Sequence, residues 1–267
     1  MNSTMNFRDL FSTTSSTSDK IHLHGYQRMY PWFLHHLIDK RPVILEIGFM
    51  KGESIPLWKE YFKNPLIHIC DINAEIASTP DFTFHVVDQS KEEDWKNFIN
   101  KNSNLKFNVV IDDGSHVPEH QKLTLNYVWP MLAEGGIYII EDIETSYWNN
   151  SNIYGYSFNA KRTSVFKSLL GVIDAINKKV ASVPGASSSI AKKSVRSNFK
   201  YADEVEFIAF GYNCIILVKK ENKYVEYYQK PYPLVHKINE TKSSWNYRIG
   251  PLILKLLTFL TKTIKSK

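Results

Sequence analysis

Short apolar runs alternate with amphipathic runs through the middle of the chain, and this alternation limits the fold more than any other feature. Apolar runs typical of buried strands occur at 42–48, 66–70, 82–87, 107–111 and 136–140. Between them, helical spacing of apolar residues is found at Ser54–Phe62, Glu92–Lys101 and His120–Leu132. Strands that alternate with helices form βαβ units and a parallel sheet. The sequence therefore predicts an α/β domain.

Two further apolar runs follow after a less regular stretch. Val205–Phe210 and Cys214–Lys219 are separated only by Gly211-Tyr-Asn213, which is the spacing of a β-hairpin with a short loop. A hairpin at the end of a parallel sheet predicts an antiparallel last strand. We expect the Glu134-Gly-Gly136 stretch to end the helix before the fifth strand.

The domain organisation follows from these patterns. Residues 1–39 are predicted to form a flexible lead and a docking helix at Tyr26–Leu37, and residues 40–220 the α/β domain. Within that domain, 149–201 is predicted to be a lid or substrate insertion, with a helix at Ser164–Lys178. Residues 221–267 form a C-terminal extension.

Composition restricts the partners of the chain. Its formal net charge is +6 with scattered Lys and Arg, which favours a solvated basic surface, so we expect no nucleic-acid partner. Cys70 and Cys214 lie in apolar runs and imply no disulfide, and the polar N-terminus lacks a secretion signal, so a cytoplasmic protein is expected.

The C-terminal extension ends in a basic amphipathic stretch from Pro251 to Lys267. Packing on the domain or on a second subunit is favoured over peripheral contact with the inner face of a membrane, but both alternatives stay open, as does a homo-oligomer.

A turn between the first strand and helix is the first candidate site. Glu46-Ile-Gly48-Phe-Met-Lys-Gly52 lacks the middle glycine of the G-x-G-x-x-G turn that approaches a pyrophosphate, which favours S-adenosylmethionine, a nucleoside cofactor without phosphate. Asp71 would bind the ribose hydroxyls, although it would also suit a nicotinamide cofactor. The predicted cofactor-binding residues are Glu46, Gly48, Gly52, Ser54, Asp71, Asp88, Gln89 and Asp112.

Acidic clusters follow the fourth and fifth strands. They lie in Ile111-Asp-Asp-Gly-Ser-His116 and in Ile140-Glu-Asp-Ile-Glu-Thr-Ser-Tyr-Trp148. Carboxyl ends of parallel strands meet at one edge of the sheet, where ligands bind. Carboxylates without cysteine suit a hard cation, Mg²⁺ before Zn²⁺.

Together, these motifs carry a family resemblance. The turn, Asp71 and the terminal hairpin resemble class I S-adenosylmethionine-dependent methyltransferases over roughly residues 40–220. D-x-x-H at 113–116, the Glu141-Asp142 pair and T-S-Y-W at 145–148 resemble the macrocin and mycinamicin sugar O-methyltransferases, whose relatives are often labelled cephalosporin-hydroxylase-like. Ser18-Asp-Lys20 and His24-Gly-Tyr26 resemble them too.

The resemblance implies a Rossmann-like sheet of seven strands in the order 3-2-1-4-5-7-6, with the seventh antiparallel. It implies that Asp113, Glu141 and Asp142 bind Mg²⁺ and that His116 is the general base. The choice between Asp112 and Asp113 as metal ligand stays open.

The predicted function is Mg²⁺-dependent O-methylation of a sugar hydroxyl in a glycoside or a surface polysaccharide. The metal would chelate neighbouring acceptor hydroxyls and His116 would remove the proton. Tyr147 and Trp148 are either a substrate-stacking wall or core. The alternatives are an NAD-dependent oxidoreductase on a similar sheet and a non-catalytic, membrane-associated binding module.

Overall fold

A computed structural model describes residues 14, 16–147, 164–177 and 198–222 of the chain. Trp148, the C-terminal amphipathic stretch and most of the predicted 149–201 insertion lie outside the described residues, so their predictions stay as stated. Both cysteines are described, and both are buried and free, in agreement with the expectation from the sequence.

A seven-stranded sheet organises the structure, in the order β3-β2-β1-β4-β5-β7-β6. The strands are β1 (Val43–Ile47), β2 (Leu66–Asp71), β3 (Thr83–Val86), β4 (Phe107–Asp112), β5 (Leu132–Glu141), β6 (Val205–Gly211) and β7 (Cys214–Lys219). The first five strands pair in parallel, whereas β7 is antiparallel to both β5 and β6. The predicted fold class and strand order are confirmed.

The helices lie between the strands and before β1. They are α1 (Asp19–His22), α2 (Tyr30–Leu34), α3 (Ser54–Tyr61), α4 (Glu92–Lys101), α5 (Pro118–Val128) and α6 (Val165–Asn177). Short 3₁₀ segments are found at Tyr26–Arg28, His35–Leu37, Trp129–Met131, Ile143–Tyr147 and Ala202–Glu204. Within the described ranges, every helix is too short or too polar to cross a bilayer.

Both faces of the sheet are buried, because alternate residues of its central strands point to opposite sides. Leu45 and Val110 pack on one face against α4, where Trp95 is fully buried. On the other face, Ile44 packs in the cluster that contains Tyr30 and Trp58. The N-terminal segment therefore forms part of the second face rather than a separate appendage.

The prediction of a continuous docking helix at Tyr26–Leu37 is wrong in detail. The structure divides it into two 3₁₀ segments and α2, in which Pro31 occupies the first turn. Proline lacks the backbone N–H and clashes with the carbonyl four residues earlier, so a continuous helix cannot pass through it. Tyr26, Tyr30, Leu34 and Leu37 are still buried, as the spacing predicted, whereas Trp32 is 73% exposed.

The fifth strand begins earlier than predicted, and the glycines at 135 and 136 do not end the preceding helix. That helix ends at Val128, before Pro130, and β5 starts at Leu132. The pairing of β5 with β4 shifts between Phe107 and Val109, which leaves a bulge before Ile137. Gly135 lies in this bulge at φ 68°, a left-handed value that glycine adopts without strain.

Candidate active site

The carboxyl ends of the central strands open onto a cavity of about 490 Å³. A volume of this size suits a small-molecule ligand. Most of the predicted site residues are found on its wall: Glu46, Gly48, Ser54, Asp71, Asp88, Gln89, Asp113, His116 and Asp142. Gly52, Asp112, Glu141 and Tyr147 are not.

The turn after β1 forms one side of the cavity. Gly48 has φ 100°, and a Cβ there would lie 2.2 Å from the carbonyl oxygen of Asp113, so the position requires glycine. The Phe49 N–H donates to Asp71 Oδ2 at 2.8 Å, and the Asn73 N–H donates to Oδ1 at 2.9 Å. Asp71 thus joins the turn after β1 to the turn after β2.

Gly52 has a structural place in this turn. It has φ 70°, and a Cβ would lie 2.8 Å from the ring of Phe49. The residue shapes the turn and is not on the cavity wall, and its predicted contact with the cofactor stays a prediction.

A hydrogen-bonded chain forms the next part of the wall. Gln89 Nε2 donates to Asp112 Oδ1 at 2.6 Å, and the Ser115 N–H donates to Gln89 Oε1 at 2.8 Å. Asp112 is fully buried behind the wall, where burial raises the pKa of its carboxyl to about 7. Asp112 thus lies behind the cavity wall and supports Gln89, and its predicted contact with a cofactor stays a prediction.

Glu46 is on the wall but is almost completely buried. Its Oε2 accepts hydrogen bonds from Ser54 Oγ at 2.7 Å and from Trp58 Nε1 at 2.9 Å. Its Oε1 lies 3.2 Å from the Lys20 ammonium. These contacts fix the start of α3 to the end of β1.

Three side chains meet at the opposite side of the cavity. Asp113, His116 and Asp142 each offer a ligand atom, and these atoms lie within 4.8 Å of one another. His116 Nε2 is 3.8 Å from Asp142 Oδ2. This grouping favours Asp113 over the buried Asp112 as the candidate metal ligand.

Backbone geometry separates Asp142 from its neighbour Glu141. β5 ends at Glu141, and Asp142 then adopts a left-handed φ of 52°, while His116 has φ 55°. Residues other than glycine adopt this region only under local constraint, and such residues concentrate at functional sites. The chain has therefore left the strand where the two adjacent acids diverge.

Distant residues hold the Asp142 carboxylate. Tyr26 OH and Asn213 Nδ2 both donate to its Oδ1, each at 2.9 Å. Burial raises the pKa of the Asp142 carboxyl, and the carboxylate of Asp113 raises it further. Asn213 lies in the loop between β6 and β7, so its contribution could not be predicted from sequence spacing.

Glu141 is held apart from this group. It is 1% exposed, its Oε1 accepts a hydrogen bond from Tyr30 OH, and its Oε2 accepts one from Lys20 Nζ at 2.8 Å. The predicted metal set of Asp113, Glu141 and Asp142 is therefore not brought together in full, because the N-terminal segment engages both oxygens of Glu141.

Lys20 is one of the residues that sequence reasoning missed. Its side chain is 1% exposed, and its ammonium lies 2.5 Å from Asp113 Oδ2, next to Glu141 and Glu46. Burial alone would lower the pKa of this ammonium, but the three carboxylates outweigh burial and raise the pKa well above its usual value. Lys20 belongs to the S-D-K motif, which was a usable signal although its role was not assigned.

The grouping of Asp113, His116 and Asp142 fits a divalent cation. Two carboxylates that face each other across 4.8 Å or less repel, and a cation between them would offset that repulsion. Carboxylate oxygens are preferred ligands of Mg²⁺, whereas the imidazole is more typical of Zn²⁺. Asp113 and Asp142 are thus the residues best suited to hold Mg²⁺.

Tyr147 is not a core residue. It is 61% exposed, and its ring stacks on Phe166 of α6 with centroids 4.9 Å apart. The stack links the segment after β5 to the helix at 165–177. Its predicted contact with substrate stays a prediction.

Several curated proteins have similar sequences, although no protein-family model matches the chain. An 8-demethyl-8-α-L-rhamnosyl tetracenomycin-C 2'-O-methyltransferase of Streptomyces olivaceus is 31% identical over 140 residues, covering 49% of this chain and 36% of that protein. The L-olivosyl-oleandolide 3-O-methyltransferase of Streptomyces antibioticus is 28% identical over 165 residues, covering 58% and 42%. The chain thus spans less than half the length of these relatives.

The solved structures give the fold. MycE methyltransferase from the mycinamycin biosynthetic pathway, in complex with Mg and SAH, matches with a TM-score of 0.61 and 23% identity. The match covers 82% of this chain and 55% of that chain. The fold is that of the class I methyltransferases. The resemblance to sugar O-methyltransferases is confirmed.

Proposed function

We propose that the protein is an S-adenosylmethionine-dependent and Mg²⁺-dependent O-methyltransferase that acts on a sugar hydroxyl. The observation that carries this proposal is the convergence of two sets of residues on one cavity. The glycine turn with Asp71 lies on one side, and Asp113, His116 and Asp142 lie on the other. The similarity to sugar O-methyltransferases supports the same activity.

The cofactor would be bound by the turn side of the cavity. Close approach of the backbone at Gly48 leaves room for a ligand, and Asp71 offers carboxylate lone pairs to ribose hydroxyls. Asp88 is 18% exposed at the cavity and would accept a hydrogen bond from the adenine amino group. Gln89 is held in place from behind by Asp112.

The acceptor would be bound by the opposite side. Asp113 and Asp142 would hold Mg²⁺, with Glu141 behind them as the third acid implied by the family resemblance. When bound, S-adenosylmethionine supplies an electrophilic methyl group. Mg²⁺ would be chelated by neighbouring hydroxyls of the acceptor, and its positive charge would lower the pKa of the hydroxyl that reacts.

His116 is proposed to remove the proton of the acceptor hydroxyl. Its imidazole lies at the cavity, 3.8 Å from the Asp142 carboxylate, which would stabilise the imidazolium once the proton is taken. Methyl transfer is an in-line displacement, so the remaining contribution of the protein is to hold the two reactants in line and to exclude water.

The experiment is a methyl-transfer assay on a panel of glycosides and polysaccharide fragments, with product detected by mass spectrometry in the presence of Mg²⁺ or a chelator. We expect product only with Mg²⁺. His116→Ala should lower kcat by about 10²–10⁴-fold, because general-base catalysis contributes this much. Its binding of S-adenosylhomocysteine, measured by calorimetry, should be unchanged.

His35→Ala is the matched control, because His35 is exposed and outside the cavity. Full activity of His116→Ala on a reacting glycoside would disprove the role of the base. Activity that is unaffected by the chelator would disprove the role of the metal. Calorimetric binding of NAD in place of S-adenosylhomocysteine would instead support the oxidoreductase alternative.

A further inference from the structure

The Lys20 ammonium lies beside a cluster of acids. This acid cluster consists of Glu46 and Glu141, which are buried, and of Asp113 and Asp142, which are partly exposed. The ammonium is 2.5 Å from Asp113, 2.8 Å from Glu141 and 3.2 Å from Glu46. A lysine ammonium has three N–H donors, and here it donates to Asp113 and to Glu141 while Glu46 lies within ion-pair distance. Buried charges persist only when they are paired in this way.

Two of the three partners of Lys20 are acids that the family resemblance assigns to the metal. Asp113 also belongs to the group with His116 and Asp142, so a cation bound there would share the Asp113 carboxylate with the ammonium. Two positive charges that share a carboxylate repel each other. Lys20 also occupies Glu141 Oε2, which keeps that oxygen from serving as a further ligand.

We propose that Lys20 is a positioning residue that fixes the acid cluster in the absence of metal and weakens the affinity of the cluster for Mg²⁺. This inference rests on the proposed metal site. The ammonium supplies the positive charge that holds Asp113 and Glu141 together, so the site is preformed. The same charge opposes the incoming cation.

The contacts of α1 support a fixed position for Lys20. Ser16 Oγ donates to the carbonyl of Glu53 at 2.6 Å, and the Ser18 N–H donates to Ser16 Oγ at 3.2 Å. Ser16 and Ser18 are buried at 4% and 2% exposure. The chain on the N-terminal side of α1 is therefore anchored to the turn that precedes α3, and the ammonium cannot leave the cluster by a simple swing of an exposed segment.

The test is a calorimetric titration of the full chain with MgCl₂, without cofactor or acceptor. Lys20→Met removes the charge and keeps most of the apolar stem, whereas Lys20→Gln removes the charge and keeps hydrogen-bond donors. We expect both variants to bind Mg²⁺ at least about tenfold more tightly than the wild type, since one positive charge has been removed beside the ligands. Lys20→Arg should stay close to the wild type.

Thermal unfolding provides a second readout. Ligands that bind the folded state raise its stability, so saturating Mg²⁺ should raise the Tm of Lys20→Met more than that of the wild type. If the variant folds only with Mg²⁺, the proposal is supported as well. Lys59→Met is the matched control: Lys59 is 47% exposed and pairs with Asp81, so the same change in charge should leave Mg²⁺ binding unaltered.

The two proposals can fail separately. Equal or weaker Mg²⁺ binding by Lys20→Met and Lys20→Gln, with normal binding by the wild type, would overturn the role of Lys20 and leave the proposed function intact. No Mg²⁺ binding by the wild type or any variant would overturn the metal site itself, and with it this inference.

Discussion

The two sides of the cavity differ in how far apart along the chain their contacting residues are. On the turn side, formed by Gly48, Asp71, Asp88 and Gln89, the contact between Phe49 and Asp71 spans 22 residues between neighbouring strands. On the acidic side, formed by Asp113, His116 and Asp142, the contact of Lys20 with Asp113 spans 93 residues, and its contact with the buried Glu141 next to Asp142 spans 121. The turn side is thus built by adjacent βα units, whereas the acidic side requires the N-terminal segment to dock.

This difference has an energetic basis. Backbone N–H groups in a tight turn satisfy Asp71 without moving any distant element. Glu141 and Asp142 have no such local donors, so they depend on Lys20, Tyr26 and Tyr30 to offset the cost of burial. Perturbing one side should therefore leave the other intact, except where the two sides touch.

Gly48→Ala should have the largest effect, because Gly48 is the point where the sides touch. The added Cβ would lie 2.2 Å from the Asp113 carbonyl oxygen at a φ of 100°, so the backbone must shift on both sides. We expect a loss of roughly 3 kcal/mol or more in the free energy of unfolding, measured with urea.

Gly25→Ala is the control for this prediction. Gly25 also has a left-handed φ, 68°, but its Cβ would meet only the flexible Arg28 side chain, at 3.2 Å. A loss of about 1 kcal/mol is expected there. Equal losses in the two variants would show that the contact with Asp113 is unimportant.

Asp71→Asn should damage the turn side alone. The amide can accept only one of the two backbone hydrogen bonds that the carboxylate accepts, from Phe49 and Asn73. We expect S-adenosylhomocysteine to bind about 30-fold more weakly, which corresponds to about 2 kcal/mol, and Mg²⁺ to bind normally. Asp81→Asn, at an exposed ion pair, should change neither titration.

The paired imidazoles of His68 in β2 and His85 in β3 allow a pH-dependent test of the strands on the turn side. Their Nδ1 and Nε2 atoms are 3.1 Å apart, and burial, followed by His68, lowers the pKa of His85 to about 4. The unfolded chain therefore takes up the proton first as pH falls from about 6.5 to about 4, and stability is lost in that window.

His85→Phe removes this titration and keeps a ring against Phe98. We expect its urea stability to fall less than that of the wild type between pH 7 and pH 4, by roughly 1–2 kcal/mol after allowing for solvent screening at a half-buried site. Parallel pH profiles would contradict the prediction.

Tyr26→Phe should have the smallest effect, and on the acidic side alone. The ring remains stacked between His24 and Tyr30, at centroid distances of 5.3 and 5.2 Å, but the donor to Asp142 is lost. The expected cost is about 1 kcal/mol, seen as roughly fivefold weaker Mg²⁺ binding in calorimetry, with normal binding of S-adenosylhomocysteine. Tyr212→Phe, 69% exposed, is the control, and weaker cofactor binding by Tyr26→Phe would contradict the separation of the sides.

Local patterns were sufficient for much of the fold. Alternating periodicity located the strands, and the glycine turn and strand-end acids marked the edge of the sheet where the cavity lies. The prediction was wrong at the end of the helix before β5, where either a proline or a pair of glycines could end a helix. The helix ends near Pro130 and not at Gly135. Gly135 lies in a bulge of β5, and this bulge is defined by the pairing of β5 with β4.

Residue types and their order along the chain predicted the α/β sheet and placed acids at its strand ends, because strand-end positions follow from the βαβ pattern. The family resemblance added the methyltransferase fold and the order of the strands. Which acids face one another at the cavity is decided by three-dimensional contacts. Asp142 turns into the cavity because its backbone is left-handed and Asn213 holds it, and Glu141 turns away because Lys20 and Tyr30 bind both its oxygens. These partners come from distant segments, and no periodicity or spacing encodes their approach.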